Sequence, residues 1–310
     1  MTRITPAPAT RPGDVVDGHV HLFAQGLFEE YVEKHPDVDP RFTRAVRERR
    51  FGRRGDSLPG LTPGEMAEDF VRRLSGAGVA KAVVVSVVPD SQWTRDFLVA
   101  ARGHVHALAN LDPRSPEAPG LLERETAAGF RGVKLLPVNR CYHLSDPACR
   151  PFFERAAELG AAVTIHYGVT VDPSGDLRYA SPLDLSPVAR DFPEITFVIA
   201  HFGAGWLDDV LRLAYQCRNV CVDSSGTNNW MDFVPEELTL ADVFRRTLTA
   251  LGPERVLFGT DSGTMRPYRA WIKHQQVRTL QELGLPARGL DLVLRGNAVR
   301  IFRLDEPLVP

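Results

Sequence analysis

Short apolar runs recur along the chain, separated by stretches with helical patterning. The runs cover residues 15–22, 79–88, 105–111, 132–136, 162–167, 196–201, 220–223 and 256–260. Each is rich in Val, Ile, Leu or Phe and gives way to Gly, Pro, Asp or Ser. Runs without polar alternation suit strands covered on both faces, as in a parallel sheet. The intervening stretches carry apolar residues at helical spacing. Residues 62–77 open on Thr62-Pro63-Gly64-Glu65, a capping pattern, and continue with Met66, Phe70, Val71 and Leu74. Residues 146–160 open on Asp146-Pro147, carry Phe152, Phe153, Ala156 and Leu159, and stop at Gly160. Residues 206–217 and 236–251 are similar, and 286–304 reads as a closing helix. Eight alternations of strand and helix predict one α/β domain over residues 1–310, a (β/α)8 TIM barrel. An open doubly wound sheet is the alternative, but it prefers a Gly-rich phosphate loop after the first strand, where this chain has Asp17-Gly18-His19-Val20-His21-Leu22.

Residues 23–61 fall outside the eightfold count. They form a long insertion after the first strand, with Arg41, Arg44, Arg47, Arg49, Arg50, Arg53 and Arg54. In a barrel this segment lies at the catalytic mouth, so it is a candidate lid with anion-binding arginines; the plainer reading of any one of them is a solvated side chain.

Composition narrows the partners. The chain has 310 residues, 37 Lys and Arg against 39 Asp and Glu, and a formal net charge of -2. That balance gives no reason to expect nucleic acid or an anionic membrane; a small-molecule substrate is expected, and a homodimer is compatible with the sequence. The opening residues lack the apolar core of a secretory signal, and no stretch is long and apolar enough to span a bilayer. Cys141, Cys149, Cys217 and Cys221 do not make a disulfide framework, which fits a reducing cytoplasm. Cys217 and Cys221 are spaced loosely like metal ligands. With no second pair, two half-buried small side chains are the better reading.

The chemistry concentrates at the ends of the runs. In Asp17-Gly18-His19-Val20-His21, residues two apart on a strand share a face, so Asp17, His19 and His21 are expected to project inward together. Two such imidazoles can grip one metal ion. A second pair, His104-Val105-His106, begins the third strand, at the bottom of a barrel, and is read as structural. His166, His201 and Asp261 each end an apolar run. A lone histidine there is more often a hydrogen-bonded core residue than a ligand. Four histidines and an aspartate converge on one axis if the chain closes as a barrel, which points to a metal centre. Lys134, inside the fourth run, is a candidate to bind an anionic substrate, to pair with an acid or, once carboxylated, to bridge two metals. Arg140, Tyr142, His143, Arg178, Tyr179, Asn228, Asn229, Trp230 and Arg266 follow the strands; among them Arg140, His143, Arg178 and Trp230 join Lys134 as expected substrate contacts.

These residues resemble the amidohydrolase superfamily, in particular the amidohydrolase-related branch with aminocarboxymuconate semialdehyde decarboxylase, resorcylate-type decarboxylases and lactonases. The similarity rests on Asp17-Gly18-His19-Val20-His21, Arg131-Gly132-Val133-Lys134-Leu135, Ile165-His166, Ile199-Ala200-His201-Phe202-Gly203, Phe258-Gly259-Thr260-Asp261 and Gly296-Asn297-Ala298-Val299-Arg300-Ile301-Phe302. The resemblance implies His19, His21, His166 and Asp261 as ligands of a divalent metal, zinc first and manganese second. It implies His201 as proton donor or second-metal ligand. One ion is expected rather than two, with Asp17 and Asp261 holding Lys134 protonated against carboxylation. The expected reaction is attack by metal-activated water on an amide, lactone or ester, with Asp261 and His201 as catalytic residues. The alternatives are non-oxidative decarboxylation of a small carboxylic acid, and an inactive barrel serving as a binding protein.

Overall fold

The structure is a computed structural model describing residues 9–306, except 12, 52–54, 171, 173, 227–229 and 236. Arg53, Arg54, Asn228 and Asn229 therefore lie outside the described residues. Eight parallel strands follow the eight apolar runs. They are β1 (Val16–His21), β2 (Lys81–Val85), β3 (Val105–Asn110), β4 (Val133–Leu135), β5 (Val163–Ile165), β6 (Phe197–Ile199), β7 (Val220–Asp223) and β8 (Val256–Leu257). Neighbours pair in sequence order from β1 to β8. Closure comes from the chain just past β8. Val256 and Leu257 pair with Val222 and Asp223 of β7. A few residues on, Phe258 O accepts from Gly18 N at 2.8 Å and Asp261 N donates to His19 O at 2.9 Å. Ser262 and Gly263 then register with Val20 and His21. The fold is thus a TIM barrel.

Two apolar layers hold it. The larger lies between strands and helices and includes Val20, Phe70, Phe97, Phe152, Ile165, Ile199 and Phe244. The smaller unites Val16, Val83, Leu108, Val198, Cys221 and Leu257 with Ala298, Ile301 and Phe302 of the closing segment. The larger layer requires the helices to dock on the strands. Helix Pro63–Gly76 starts as the sequence predicts: the Thr62 hydroxyl accepts from Glu65 N and the Glu65 carboxylate accepts from Thr62 N. The segment read as one helix over 146–160 is a short 3-10 turn, Pro147–Cys149, followed by helix Arg150–Leu159, which Gly160 ends in the left-handed conformation. The closing helix is three pieces, Ala287–Asp291, a π-turn Leu292–Gly296 and Asn297–Ile301. Cys217 and Cys221 are fully rather than half buried, and both are free thiols.

The insertion after β1 forms helices Gln25–Lys34 and Pro40–Arg47 and a small hairpin, Arg50–Phe51 with Asp56–Ser57. Leu27, Phe28, Val46 and Leu58 bury themselves in the larger core, so much of this segment is packed structure. Among the described residues, no helix is long and apolar enough to cross a membrane.

Candidate metal centre

The strand ends deliver a buried cluster of titratable side chains to the top of the barrel. His19 from β1 is fully buried, with its ring centroid 5.2 Å from that of His21 and 4.8 Å from that of His201. The His166 ring centroid is 5.1 Å from that of His201. His21 Nε2 lies 2.9 Å from Asp261 Oδ1. His19, His201 and Asp261 each offer a ligand atom within 4.8 Å of the others. Lys134, from β4, is buried among these groups: Asp223 and Asp261 raise its proton affinity, and its charge lowers that of His19, His166 and His201.

The backbone at this site is unusual. His201 and Asp261 both hold left-handed conformations, with φ of 58° and 57°. Such conformations cost of order 1 kcal/mol or more for residues with a Cβ and persist where the surroundings enforce them, often at functional sites. The enforcement here is visible: Asp261 N is bonded to His19 O, and His201 N donates to Asp223 Oδ1 at 3.1 Å. Gly259 permits the close approach of β8 to β1, since a Cβ there would sit 2.9 Å from Ser225 Cβ and 3.0 Å from His19 Cβ.

Burial dominates the electrostatics. It lowers His19 to about 4 against the opposing pull of Asp223, and it lowers His166 and His201 as well. These rings are neutral at neutral pH, the form in which imidazole ligates metal. Burial also brings Lys134 down to about 8, with Asp223 and Asp261 opposing. Burial would raise Asp223 and Asp261, but their histidine neighbours hold both well below the usual carboxylate range.

The donor set fits a divalent cation on two counts. His19 Nε2 is a buried polar atom without a hydrogen-bond partner, a costly state that a bound cation relieves, whereas Lys134 Nζ, likewise unpartnered, is a donor and calls for an anion instead. The 2.9 Å between His21 Nε2 and Asp261 Oδ1 is also close to the roughly 3.3 Å separating two ligands of a tetrahedral zinc ion.

Two expectations need correction. Asp17 does not act with His19 and His21. The β1 register shifts between Asp17 and Val20, and the Asp17 carboxylate accepts from Thr260 N (3.1 Å), Thr260 Oγ1 (2.5 Å), Tyr268 Oη (2.8 Å) and His19 N (3.1 Å). Burial raises Asp17 to about 6. The acids acting on Lys134 are therefore Asp223 and Asp261, not Asp17 and Asp261.

The expected substrate contacts are dispersed. Arg140 donates to Asn110 Oδ1 at 2.6 Å. His143 pairs with Asp184 at 3.0 Å, and Arg178, 84 % exposed, pairs with Asp176. Arg266 pairs with Asp56 of the insertion. Trp230 is buried and, with Trp206, Leu207 and Val234, lines a cavity of about 200 Å³. Asp223 and Ser225 escaped the sequence reading. The signal was present, because Asp223 ends the seventh apolar run as His201 ends the sixth.

This chain belongs to the amidohydrolase family, whose model matches residues 16–304. A Pseudomonas putida protein named for 2-pyrone-4,6-dicarboxylic acid hydrolase activity is 19 % identical, with a TM-score of 0.63, 95 % of this chain and 99 % of that one covered. A 5-carboxyvanillate decarboxylase from Novosphingobium aromaticivorans, solved with manganese and 4-hydroxy-3-methoxy-5-nitrobenzoic acid, is 15 % identical with a TM-score of 0.58, covering 98 % and 99 %. An amidohydrolase from Burkholderia multivorans with bound zinc is 16 % identical with a TM-score of 0.59, covering 94 % and 99 %. At these identities the likeness concerns the fold. A 79-residue stretch is 37 % identical to RutD of Enterobacter cloacae subsp. cloacae, named for carbamate hydrolase activity; it spans 24 % of this chain and 30 % of that one.

Proposed function

We propose that the protein is a metal-dependent hydrolase acting on an amide, lactone or ester of a small anionic molecule. The observation that carries this reading is the convergence of His19, His201 and Asp261 polar atoms within 4.8 Å, of which His19, with its unpartnered Nε2, and Asp261 would ligate the ion and His201 would stand beside it for proton transfer. One divalent ion, zinc or manganese, would be held by His19, His21, His166 and Asp261. His166 Nε2 faces Val169 O at 3.0 Å, so His166 would ligate through Nδ1. The bound ion supplies Lewis acidity, lowering the pKa of water and neutralising negative charge that develops on a carbonyl oxygen. Asp261, ionised, accepts the proton of the attacking water. His201 would act through Nε2, since its Nδ1 is engaged by Ser225 Oγ at 2.8 Å: the Nε2 lone pair takes up the water-derived proton relayed by Asp261 and then delivers it to the leaving group. Lys134 places a cation beside the reacting centre and selects an anionic substrate; keeping it protonated for that role is the argument for one ion over two. The insertion 23–61 serves as a lid. Arg41 of its second helix and Asp172 of the loop after β5 attract each other, which supports a segment lying beside the barrel mouth.

A second reading is non-oxidative decarboxylation of a small carboxylic acid, favoured by the same buried Lys134, which would hold a carboxylate over the centre, and by the likeness to a 5-carboxyvanillate decarboxylase. Elemental analysis of protein purified without chelators, followed by a screen of lactones, amides and aromatic carboxylates with CO2 detection, tests both. About one metal equivalent and hydrolysis is the expected result. CO2 release with no hydrolysis would establish the second reading. Activity in metal-free protein would overturn the metal assignment, and two equivalents per chain would overturn the single ion.

A further inference from the structure

We propose that Asp223 is a positioning carboxylate shared by two site histidines, fixing His19 directly and His201 through Ser225 so that both rings turn an Nε2 lone pair toward the centre. Asp223 ends β7 two residues after Cys221, whose side chain lies in the inner apolar layer, and it is 1 % exposed. Its two oxygens divide the work. Oδ2 lies 2.9 Å from His19 Nδ1. Oδ1 accepts from His201 N at 3.1 Å, from Ser225 N at 3.0 Å and from the Ser225 hydroxyl.

The direction of each hydrogen follows from this inventory. An ionised carboxylate only accepts, so His19 must carry its hydrogen on Nδ1. Ser225 has one hydroxyl hydrogen and gives it to Asp223. Its oxygen is then the acceptor in the 2.8 Å contact with His201 Nδ1, so His201 also carries its hydrogen on Nδ1. Reversing His201 so that it accepts from Ser225 would break the Ser225 to Asp223 bond, and the Ser225 backbone, which also favours a protonated His201 ring, opposes the reversal. The same carboxylate holds the left-handed turn at His201 through the bond to its backbone N–H. Asp223 thereby couples ring orientation, tautomer and backbone conformation of His201 to the orientation of His19. Partners of this kind, behind a metal-ligating histidine, commonly contribute 10–100-fold to metal affinity.

The proposal rests on reading His19 and His201 as site residues, but its test reads tautomers and zinc affinity rather than turnover. Protein labelled with 15N-histidine reports each ring's tautomer by two- and three-bond 1H–15N correlations, and competition with a chromophoric chelator gives the zinc Kd. In the parent protein both rings should be Nδ1–H. Ser225→Ala should release His201 to a mixed or Nε2–H tautomer, leave His19 as Nδ1–H and keep zinc affinity within about threefold. Asp223→Asn, which cannot accept from both sides, should disturb both tautomers and weaken zinc 10–100-fold. Retention of the His201 Nδ1–H tautomer in Ser225→Ala would overturn the relay. Unchanged His19 tautomer and zinc affinity in Asp223→Asn would overturn the shared role. Tautomers that follow the expected pattern in a protein that never binds zinc would leave the relay standing and remove the metal reading instead.

Discussion

His106 offers a test of the fold's electrostatics away from the metal centre. It lies at the bottom of β3, is 6 % exposed, and its Nε2 has no hydrogen-bond partner. Burial lowers it from 6.5 to about 3; the charges of Lys81 and Arg131 push the same way, while a hydrogen bond to the Gly103 backbone and the charge of Asp305 oppose. Those cations are fixed in place. Lys81 Nζ donates to Leu304 O at 3.0 Å and to Asp305 Oδ1 at 2.7 Å, and an Arg131 guanidinium nitrogen donates to Glu306 O at 2.6 Å. The native state therefore keeps His106 neutral at pH values where the unfolded chain has protonated it. The unfolded state binds more protons between about pH 3 and 6.5, so stability falls as pH drops through that window. At pH 5 the linkage amounts to about 2 kcal/mol, and at pH 8 to nearly nothing. His106→Asn retains a donor near the Nδ1 position and removes the titration. His19, His166 and His201 add acid sensitivity of their own, but equally in both proteins, so the difference isolates His106. Urea unfolding at pH 8, 6 and 5 with saturating zinc measures it. The stability of the parent relative to His106→Asn should fall by about 2 kcal/mol from pH 8 to pH 5. A relative change under about 0.5 kcal/mol would refute the reasoning, because His106 would then titrate alike in both states.

Two further outcomes follow from the site. His201→Ala should retain most bound metal and lose at least about 100-fold in turnover, whereas His19→Ala should lose both together; equal metal loss by elemental analysis would place His201 among the ligands. Gly168→Ala should destabilise the protein by more than about 2 kcal/mol in urea unfolding and loosen metal binding. Gly168 has φ of +83°, its Cβ would collide with the Gly203 and Ala204 carbonyl oxygens, and Val169 beyond it holds His166 Nε2. Parent-like stability would show that the loop after β5 yields at little cost.

The sequence by itself determined the barrel and placed the clustered histidines and Asp261 at strand ends. Strand runs, caps and the placement of His19, His21, His166, His201 and Asp261 at strand ends are local properties, written in periodicity and in the residues that stop it. The closing residues Val256 to Gly263 look like an ordinary strand and turn in isolation; only the folded chain shows one segment bonded first to β7 and then to β1. That junction decided what alternation alone misjudged. Asp17 bonds to Thr260 in that closing segment and to Tyr268 beyond it, and a register shift of β1 against β2 between Asp17 and Val20 breaks the simple two-residue rule there. It also decided which acids face Lys134. Asp223 and Ser225 look in sequence like the end of a short strand, and their meaning depends on His19, about 200 positions away, as the 204-residue separation of the His19–Asp223 hydrogen bond shows. Hydrogen bonds between strand tops depend on the order and stagger of the strands, which no local pattern records. Arg266 and His143 of the mouth loops show the same limit, since long polar side chains take whichever acid the fold brings near, as Arg266 takes Asp56 and His143 takes Asp184.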